Sequence, residues 1–285
     1  MKKQDFRLLH RLRVRWVEVD IQKIVFNAHY LMYFDTALTD YWRALGLPFE
    51  SAMQQLGGDF YVKKASVEFH ASARFDEQLE VALKCTRLGN SSLLFTGAIF
   101  RSDQLLVTCE LVYVFADPLS QTSRPVPEAL RSLIMRYEAG ESVLTLKTGD
   151  WSTLGPDASA LRTAVFVQEQ GIAPELEWDK EDHCALHAVL YNALGQVIGT
   201  GRLLQLEPQR AKIGRMAVHS AVRGSGVGRH VLAALLNAAR ERGDTEVVLH
   251  AQCSAQAFYT SQGFLACGSS FEEAGMAHIA MVKTL

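Results

Sequence analysis

A loop over residues 223–229 carries the residue types that bind an anion. It reads RGSGVGR and lies between a predicted strand and a predicted helix. Glycine accepts positive φ and lets the backbone approach a ligand closely. The free N–H groups of a helix's first turn point outward, and the helix dipole favours negative charge there. Arg223 and Arg229 add cationic donors suited to phosphate. The loop therefore predicts a phosphate or pyrophosphate site.

Other interpretations of this loop differ in how well the sequence fits them. A P-loop is excluded because the pattern GxxxxGK[ST] is absent. A dinucleotide site would need Gly or Ala at position 229, where Arg stands, although Asp244 or Glu246 lies near the distance expected of its acidic residue. A helix start that uses glycines only for tight packing is the structural alternative. From the loop alone, the dinucleotide site is weakened and the packing alternative stays open.

Asp20, which precedes a second predicted helix, is suited to hydrolytic chemistry. It ends an alternating segment, and an aromatic-rich helix begins near Ala28. Hydrolysis of a thioester needs a carboxylate that activates water or attacks directly. It also needs donors for the developing oxyanion, and one such donor contributes about 2.7–4 kcal/mol. Asp20 and the backbone at 27–30 could supply both, whereas the structural alternative is an Asp20 that only ends the strand or meets the helix dipole.

The first half of the chain predicts a sheet packed around one helix. Residues 11–19 alternate as a half-buried strand, with Leu12, Val14 and Trp16 on one side. Apolar residues then recur at helical spacing from Tyr30 to Leu45, and Gly46 is the predicted stop. Four strands follow, at 61–70, 78–87, 92–101 and 104–115. Their short connections indicate antiparallel hairpins.

The second half predicts a different architecture. Three prolines after Asp117 indicate a linker, followed by a short helix near 128–137, so the predicted domains are 1–140 and 141–285. The second domain has predicted helices at 158–169, after the glycine loop and at 254–262, with closing strands at the end. Its other predicted strands are 185–192, 196–205, 212–218 and 246–251. One strand–loop–helix crossover makes this domain α/β.

Composition narrows the class of protein. The 285 residues include 29 basic and 31 acidic side chains, so the basic stripe of a nucleic-acid-binding protein is not expected. Five scattered cysteines without a CxxC pair predict neither a disulfide framework nor a metal site. The start lacks an apolar signal core, and no apolar run reaches 18 residues. We expect a soluble cytoplasmic protein without membrane or nucleic-acid partners.

Residues 150–285 resemble the GNAT acetyltransferase superfamily. Arg223, Gly226 and Gly228 match its motif [RQ]-x-x-G-x-[GA]. The segments VFVQEQG, IGRMAV, AQCSAQAFYTSQGF and FEEAGMAHIAM are similar to one bacterial branch of the superfamily. The resemblance implies an α/β acyltransferase fold, with acetyl-CoA as co-substrate and a small amine or peptide as acceptor.

The GNAT resemblance also implies a set of site residues. The backbone of Met216, Ala217 and Val218 would pair with the pantetheine arm of CoA. The N–H groups of Arg223, Gly224, Ser225, Gly226, Val227, Gly228 and Arg229 would hold the pyrophosphate. Tyr259 would protonate the departing thiolate, since a phenol and a thiolate have similar basicity. Glu169 is the candidate base or amine ligand, with Glu175 and Glu177 behind it, and His278 is a candidate for the acceptor pocket.

Residues 11–116 resemble the 4-hydroxybenzoyl-CoA thioesterase branch of the hotdog fold. Asp20 matches that family's catalytic aspartate, Asn27 its [HN] position, and Tyr30 and WRALG its helix. One departure is Lys23, where the family has a glycine that permits a tight turn. The resemblance implies an antiparallel α+β domain that binds acyl-CoA. It also implies sites between two subunits, and hence a homodimer or a homotetramer formed through this domain.

The two resemblances together predict a bifunctional enzyme. The first domain would hydrolyse an acyl-CoA thioester, and the second would move an acetyl group from acetyl-CoA to an amine. A competing hypothesis makes the first domain a non-catalytic oligomerisation or acyl-CoA-sensing module that regulates the acetyltransferase. A third possibility is a second domain that binds CoA without transferring.

Overall fold

The computed structural model describes all 285 residues and divides into two compact units, Met1–Val143 and Leu144–Leu285. The first unit contains a five-stranded antiparallel sheet with strand order β1-β3-β4-β5-β2. Its elements are β1 (Leu8–Arg13), α1 (Asn27–Ala44), α2 (Phe49–Leu56), β2 (Asp59–Phe69), β3 (Gln78–Leu88), β4 (Ser92–Arg101), β5 (Gln104–Ala116) and α3 (Glu128–Glu138). The predicted α+β architecture of a sheet around one long helix is confirmed.

Helix α1 forms where the apolar spacing predicts it. Its buried face follows the three- and four-residue periodicity from Tyr30 to Trp42, and Gly46 adopts a φ of 69° just beyond its end. Phe34 rests against Gly97 of β4, where a Cβ atom would lie 2.5 Å from the Phe34 ring. The strand glycine therefore lets the helix pack close to the sheet.

The predicted strand over 11–19 is wrong beyond Arg13. Strand β1 begins earlier, at Leu8, and Trp16–Glu18 form a single 3₁₀ turn. The carboxylate of Glu18 accepts the Arg15 N–H at 2.7 Å, and this local bond turns the chain out of the sheet. Trp16 is consequently 69% exposed rather than part of the buried face.

The second unit contains a seven-stranded sheet with order β11-β12-β10-β9-β8-β7-β6. Its strands are β6 (Thr145–Gly149), β7 (Leu186–Tyr191), β8 (Val197–Glu207), β9 (Arg210–Val218), β10 (Glu246–Gln252), β11 (Leu265–Glu273) and β12 (Met276–Thr284). Its helices are α4 (Trp151–Arg162), the single turn α5 (Pro174–Glu177), α6 (Val227–Arg242) and α7 (Gln256–Ser261), with a π-helix at Thr163–Glu169. Only β9 and β10 are parallel, and α6 connects them as predicted. The predicted α/β architecture is confirmed.

Helix α6 lies close to the sheet because β8 has glycine residues where the helix and the strand meet. A Cβ atom at Gly199 would lie 2.8 Å from a Val227 methyl group, and one at Gly201 would lie 2.9 Å from a Leu235 methyl group. The apolar face of α6 is buried in the core of this unit. This packing sets the position of the glycine loop that precedes α6. No helix in either unit combines the length and apolar character needed to cross a membrane.

Candidate functional sites

Asp20 opens a tight loop that leads into α1. Val19 and Val25 pair across this loop as an isolated antiparallel bridge, and the Asp20 N–H donates to the Ile24 carbonyl at 2.9 Å. Lys23 has a φ of 62°, the left-handed conformation that glycine adopts most easily. The turn expected of a glycine is therefore present with an exposed lysine in its place.

Only one oxygen of the Asp20 carboxylate accepts a hydrogen bond within the chain. Its Oδ1 atom accepts the Gln22 N–H at 2.8 Å, and no group of the chain donates to Oδ2. The charge of Asp20 also contributes to raising the pKa of Tyr30, after the larger effect of burial. The carboxylate therefore lies within electrostatic reach of the first turn of α1.

The start of α1 presents free donors. Asn27 is its first residue and is exposed, and the backbone N–H groups of Asn27 and Ala28 donate to no group of the chain. Tyr30 accepts the Ala73 N–H on its hydroxyl at 2.9 Å, so this motif tyrosine anchors the helix. The structure thus places Asp20 and Asn27 at the two ends of one short loop.

Glu18 anchors the same region, and sequence reasoning missed it. Its buried carboxylate accepts from the Tyr33 hydroxyl at 2.7 Å and from Arg15, and its carbonyl accepts the Phe26 N–H at 2.9 Å. Burial acts to raise the pKa of Glu18, but the bonds from Arg15 and Tyr33 outweigh it and hold that pKa below its usual value. An ionised Glu18 therefore ties the loop to α1.

Strands β9 and β10 diverge in the second unit. Their parallel pairing covers only Arg210–Lys212 and Glu246–Val248, although β9 continues to Val218. The register of β9 against β8 shifts near Arg215, which has a φ of 52°. The backbone of Met216, Ala217 and Val218 therefore faces a cleft on the β10 side instead of a paired strand.

The glycine loop ends beside this cleft with its donors free. Gly224 and Gly226 have φ of 82° and 93°, and Gly226 is the N-cap of α6. The backbone N–H groups of Gly224, Gly226, Val227 and Gly228 donate to no group of the chain. A cluster of free amides at a helix N-terminus fits an anion such as a pyrophosphate.

The two arginines of the loop differ in their partners. Arg229 is exposed and its guanidinium forms no hydrogen bond or ion pair in the chain. Arg223 instead binds both carboxylate oxygens of Glu169, at 2.5 and 2.7 Å, and donates to the Val218 carbonyl at 3.1 Å. The Arg223 bond holds the pKa of Glu169 below its usual value, which weakens it as a base. The structure thus joins two predicted site residues in an ion pair.

Tyr259 lies in α7 and lines a cavity of about 320 Å³ beside the diverging strands. Its hydroxyl makes no hydrogen bond within the chain, and burial raises its pKa to about 12. The phenol is therefore protonated throughout the neutral range, as a proton donor must be.

The cavity wall is partly charged. Glu177 is buried and pairs with Arg162 at 2.5 Å and with Arg215 at 3.2 Å, so it is engaged in structural ion pairs. Glu175 is exposed, whereas His278 is buried and lines the cavity. His250 and Glu273 also line it, and sequence reasoning missed both. Their strand alternation alone carried no signal that they face one cavity.

Comparisons with known proteins divide along the same two units. The family described as the acetyltransferase (GNAT) domain matches residues 157–285, and the thioesterase superfamily matches residues 22–108. The chain is 33% identical over 128 residues to the uncharacterized N-acetyltransferase YjcF of Bacillus subtilis, covering 45% of this chain and 90% of that protein.

Two further proteins are similar to parts of the chain. It is 29% identical over 120 residues to the acyl-CoA thioester hydrolase YbgC of Escherichia coli, covering 42% of this chain and 89% of that protein. A solved acyl-CoA N-acyltransferase of Pseudomonas aeruginosa is 32% identical and covers 50% of this chain and 99% of its own, with a TM-score of 0.45.

Proposed function

We propose two activities from one premise: this chain belongs to the thioesterase superfamily in its N-terminal unit and to the GNAT acetyltransferase family in its C-terminal unit. The N-terminal unit hydrolyses an acyl-CoA thioester. The C-terminal unit transfers an acetyl group from acetyl-CoA to an amine. The observation that carries the acetyl transfer is the cleft where β9 and β10 separate, since the loop with free amides follows β9 and Tyr259 lines the cavity beside these strands.

In the C-terminal unit, each part of CoA has a suitable partner. The free N–H groups of Gly224, Gly226, Val227 and Gly228 and the unpaired Arg229 fit the pyrophosphate. The open edge at Met216–Val218 fits the amide-bearing pantetheine arm, which would add as a strand would. Tyr259 then supplies the proton that the departing thiolate takes up.

In the N-terminal unit, Asp20 is the base or nucleophile. Its free Oδ2 is available to activate water or to attack the thioester carbonyl. The free N–H groups of Asn27 and Ala28 would donate hydrogen bonds to the developing oxyanion.

The hydrolytic role is tested with Asp20→Asn and a matched control. With a panel of aliphatic and aromatic acyl-CoAs and no amine, CoA thiol release should fall about 10²- to 10⁴-fold in Asp20→Asn. Asp103→Asn, which alters a carboxylate that is 99% exposed in a turn, should keep the wild-type rate. If Asp20→Asn hydrolysed acyl-CoA as fast as wild type, Asp20 would have no catalytic role. If the wild-type protein bound acyl-CoA without hydrolysing it, the sensing module would be favoured.

The transfer role is tested by release of CoA thiol from acetyl-CoA in the presence of amines. Polyamines, amino acids and peptides serve as acceptors, and the product is identified by its mass. We expect thiol release that depends on the amine. Acetyl-CoA binding with no transfer to any of them would contradict the proposal.

The N-terminal unit is proposed to form a homodimer or homotetramer. Exposed apolar residues flank Asp20, with Trp16, Val17 and Ile21 exposed by 69, 76 and 100%. Strand β2 is a free sheet edge that carries the exposed Val62. Free sheet edges and exposed apolar patches of this kind are typical of protein–protein interfaces, and a second copy of this unit would bury them.

Light scattering of the full chain tests this assembly. Wild type should be at least a dimer, and Val62→Asp should shift it toward monomer. Leu119→Asp changes an equally apolar residue in an exposed turn and should have no effect. A monomeric wild type at micromolar concentration would contradict the proposal.

A further inference from the structure

Three polar side chains of the C-terminal sheet face one cavity, and none of them binds CoA or protonates the thiolate in the transfer described above. His250 lies on β10, Glu273 on β11 and His278 on β12, and all three line the cavity. Gln252 and Phe271 pair with His278 from its two sides. Because residues two apart on a strand share a face, His250 and Glu273 lie on the face that His278 occupies.

His250 and Glu273 form a hydrogen-bonded pair. The His250 Nδ1 atom lies 2.9 Å from a carboxylate oxygen of Glu273. An ionised carboxylate only accepts hydrogen bonds, so Nδ1 carries the hydrogen and Nε2 of the neutral ring keeps its lone pair. Burial acts to raise the pKa of Glu273, but the bond from His250 and the nearby charges of His278 and Lys212 hold it below its usual value. The carboxylate is therefore ionised at neutral pH, and it stabilises the imidazolium that forms when Nε2 accepts a proton.

The other ionisable groups of the cavity are less suited to act as a base. Glu177, Arg202 and Arg215 are held in ion pairs of the wall. Lys212, on β9, forms no hydrogen bond or ion pair in the chain, but it is a cation. Tyr259, on α7, holds its proton because burial raises its pKa to about 12.

His278 and Glu169 are weaker candidates. His278 donates from Nδ1 to the Met276 carbonyl at 2.9 Å, and a neutral carbonyl stabilises an imidazolium less than a carboxylate does. Glu169 is bound to Arg223 and does not line the cavity. His250 is thus the cavity histidine with a carboxylate partner, the arrangement that activates nucleophiles in hydrolases.

We propose that His250, oriented by Glu273, is the base that deprotonates the acceptor amine in this cavity; this rests on the proposed acetyl transfer. Nε2 of His250 takes a proton from the acceptor's ammonium group. The freed nitrogen lone pair forms a bond to the acetyl carbonyl carbon, the C–S bond breaks, and the thiolate takes the proton of Tyr259. The nitrogen gives up its second proton to solvent as the amide forms. The imidazolium releases its proton to solvent, from which the tyrosinate regains one.

The test uses the full chain, acetyl-CoA and two probe acceptors. An alkylamine is protonated at neutral pH and needs the base, whereas an aromatic amine is already neutral. His250→Gln should lower transfer to the alkylamine at neutral pH by about 100-fold or more and leave the aromatic amine nearly unchanged. His183→Gln, at an exposed histidine outside the cavity, should match wild type with both amines.

A second variant tests the role of Glu273. Glu273→Gln should lower kcat for the alkylamine and leave the aromatic amine nearly unchanged, because the imidazolium loses its carboxylate partner. A purely structural role of Glu273 would instead lower transfer to both amines.

Several results would overturn the inference. Equal losses with both amines in His250→Gln would make its role structural, and a loss specific to the alkylamine in His278→Gln but not in His250→Gln would assign the base to His278. Unchanged transfer to the alkylamine in Glu273→Gln would contradict the role of Glu273. If the wild-type protein transfers acetyl to neither probe nor to any other amine tried, the proposed acetyl transfer is contradicted, and so is the role of His250 that rests on it.

Discussion

Single residues in these sites take their chemistry from the partner that each one meets. Glu169 and Arg223 pair with each other, so the carboxylate has a lowered pKa and the guanidinium is held beside the β9 carbonyl of Val218. The hydroxyl of Tyr259 forms no hydrogen bond within the chain, and burial of the ring keeps the phenol protonated. His250 meets Glu273 and gains a free, basic Nε2. The resemblance to the GNAT superfamily favoured Glu169 as the base, whereas the contacts of the two side chains favour His250.

Replacing Tyr259 by phenylalanine should separate chemistry from folding. Transfer should fall by about 10²- to 10⁴-fold in kcat because the thiolate loses its proton donor. The free energy of unfolding should change by less than about 0.5 kcal/mol, because the lost hydroxyl has no hydrogen bond in the chain. Tyr191→Phe is the control: its hydroxyl donates to Asp157 at 2.5 Å, so it should lose about 1 kcal/mol of stability and keep its activity. Thiol release and urea denaturation measure both, and full activity in Tyr259→Phe would end its assignment.

At the scale of elements, sites form where a strand or helix begins or ends. Both proposed sites use the unpaired N–H groups of a helix start, at α1 and at α6. The start of α6 depends on Gly226, whose φ of 93° is strained for any residue with a side chain. The end of the first unit depends on α3, which buries Leu130, Leu133 and Ile134.

Gly226→Ala should weaken acetyl-CoA binding beyond its effect on stability. A Cβ atom there would meet nothing within 4 Å, so the cost arises from the backbone and amounts to about 1–2 kcal/mol. Gly195→Ala is matched, with a φ of 76° and open space, but lies in the β7–β8 turn. Calorimetry should show a raised Kd for acetyl-CoA in Gly226→Ala alone. Equal Kd values in the two variants would contradict the anion-binding role of the loop.

The buried carboxylate of Glu138, on α3, should make the free energy of unfolding depend on pH. Its carboxylate accepts from the Tyr41 hydroxyl at 2.6 Å and from the Cys85 N–H at 2.8 Å, and burial raises its pKa in the fold. Because the folded pKa lies above the unfolded one, this group's contribution is most favourable below the unfolded pKa, near 4.3, and is lost as pH rises through the folded pKa.

Glu138→Gln should therefore be as stable as wild type or more so at pH 7, with no advantage at pH 4. The amide oxygen of glutamine can still accept both hydrogen bonds without a buried charge. Glu138→Ala should lose about 1–3 kcal/mol, because it leaves buried donors unsatisfied. Urea denaturation at the two pH values measures this, and a Glu138→Gln variant less stable at pH 7 than at pH 4, relative to wild type, would reverse the assigned shift.

At the scale of the whole molecule, the chain has two units with separate sheets and separate cores. Two cores of this kind need not unfold in one cooperative step. Each unit also contains a glycine in close contact with neighbouring side chains, so a larger residue at that position would disturb the packing. Gly97 lies under Phe34 in the first, and Gly201 lies against Met216 and Leu235 in the second.

Calorimetry of the full chain should show two unfolding transitions. Gly97→Ala should lower the transition temperature of the N-terminal unit and Gly201→Ala that of the C-terminal unit, since overpacking costs about 1–3 kcal/mol. Neither substitution should move the other transition. A single transition lowered by both would show one cooperative unit.

Local patterns accounted for much of the fold. Alternation predicted β3 and β4, and a long apolar run predicted β5, nearly to the residue, while helical spacing predicted α1. The eight-residue α2 and the five-residue β6 were missed because elements this short have too few residues to show a period. The error at Trp16 has another cause, since a local bond from Arg15 to Glu18 overrides the alternation.

The sequence by itself determined the residue types, the glycines that start α6 and the family motifs around Asp20 and Tyr259. Only the tertiary structure decided that Glu169 pairs with Arg223, 54 residues away, and that His250 meets Glu273 across β10, β12 and β11. It also decided that β9 and β10 separate after three paired residues and so open the cleft. The physical reason is that periodicity reports only which face of an element is buried, whereas a pKa and a cavity depend on which distant side chains share that face.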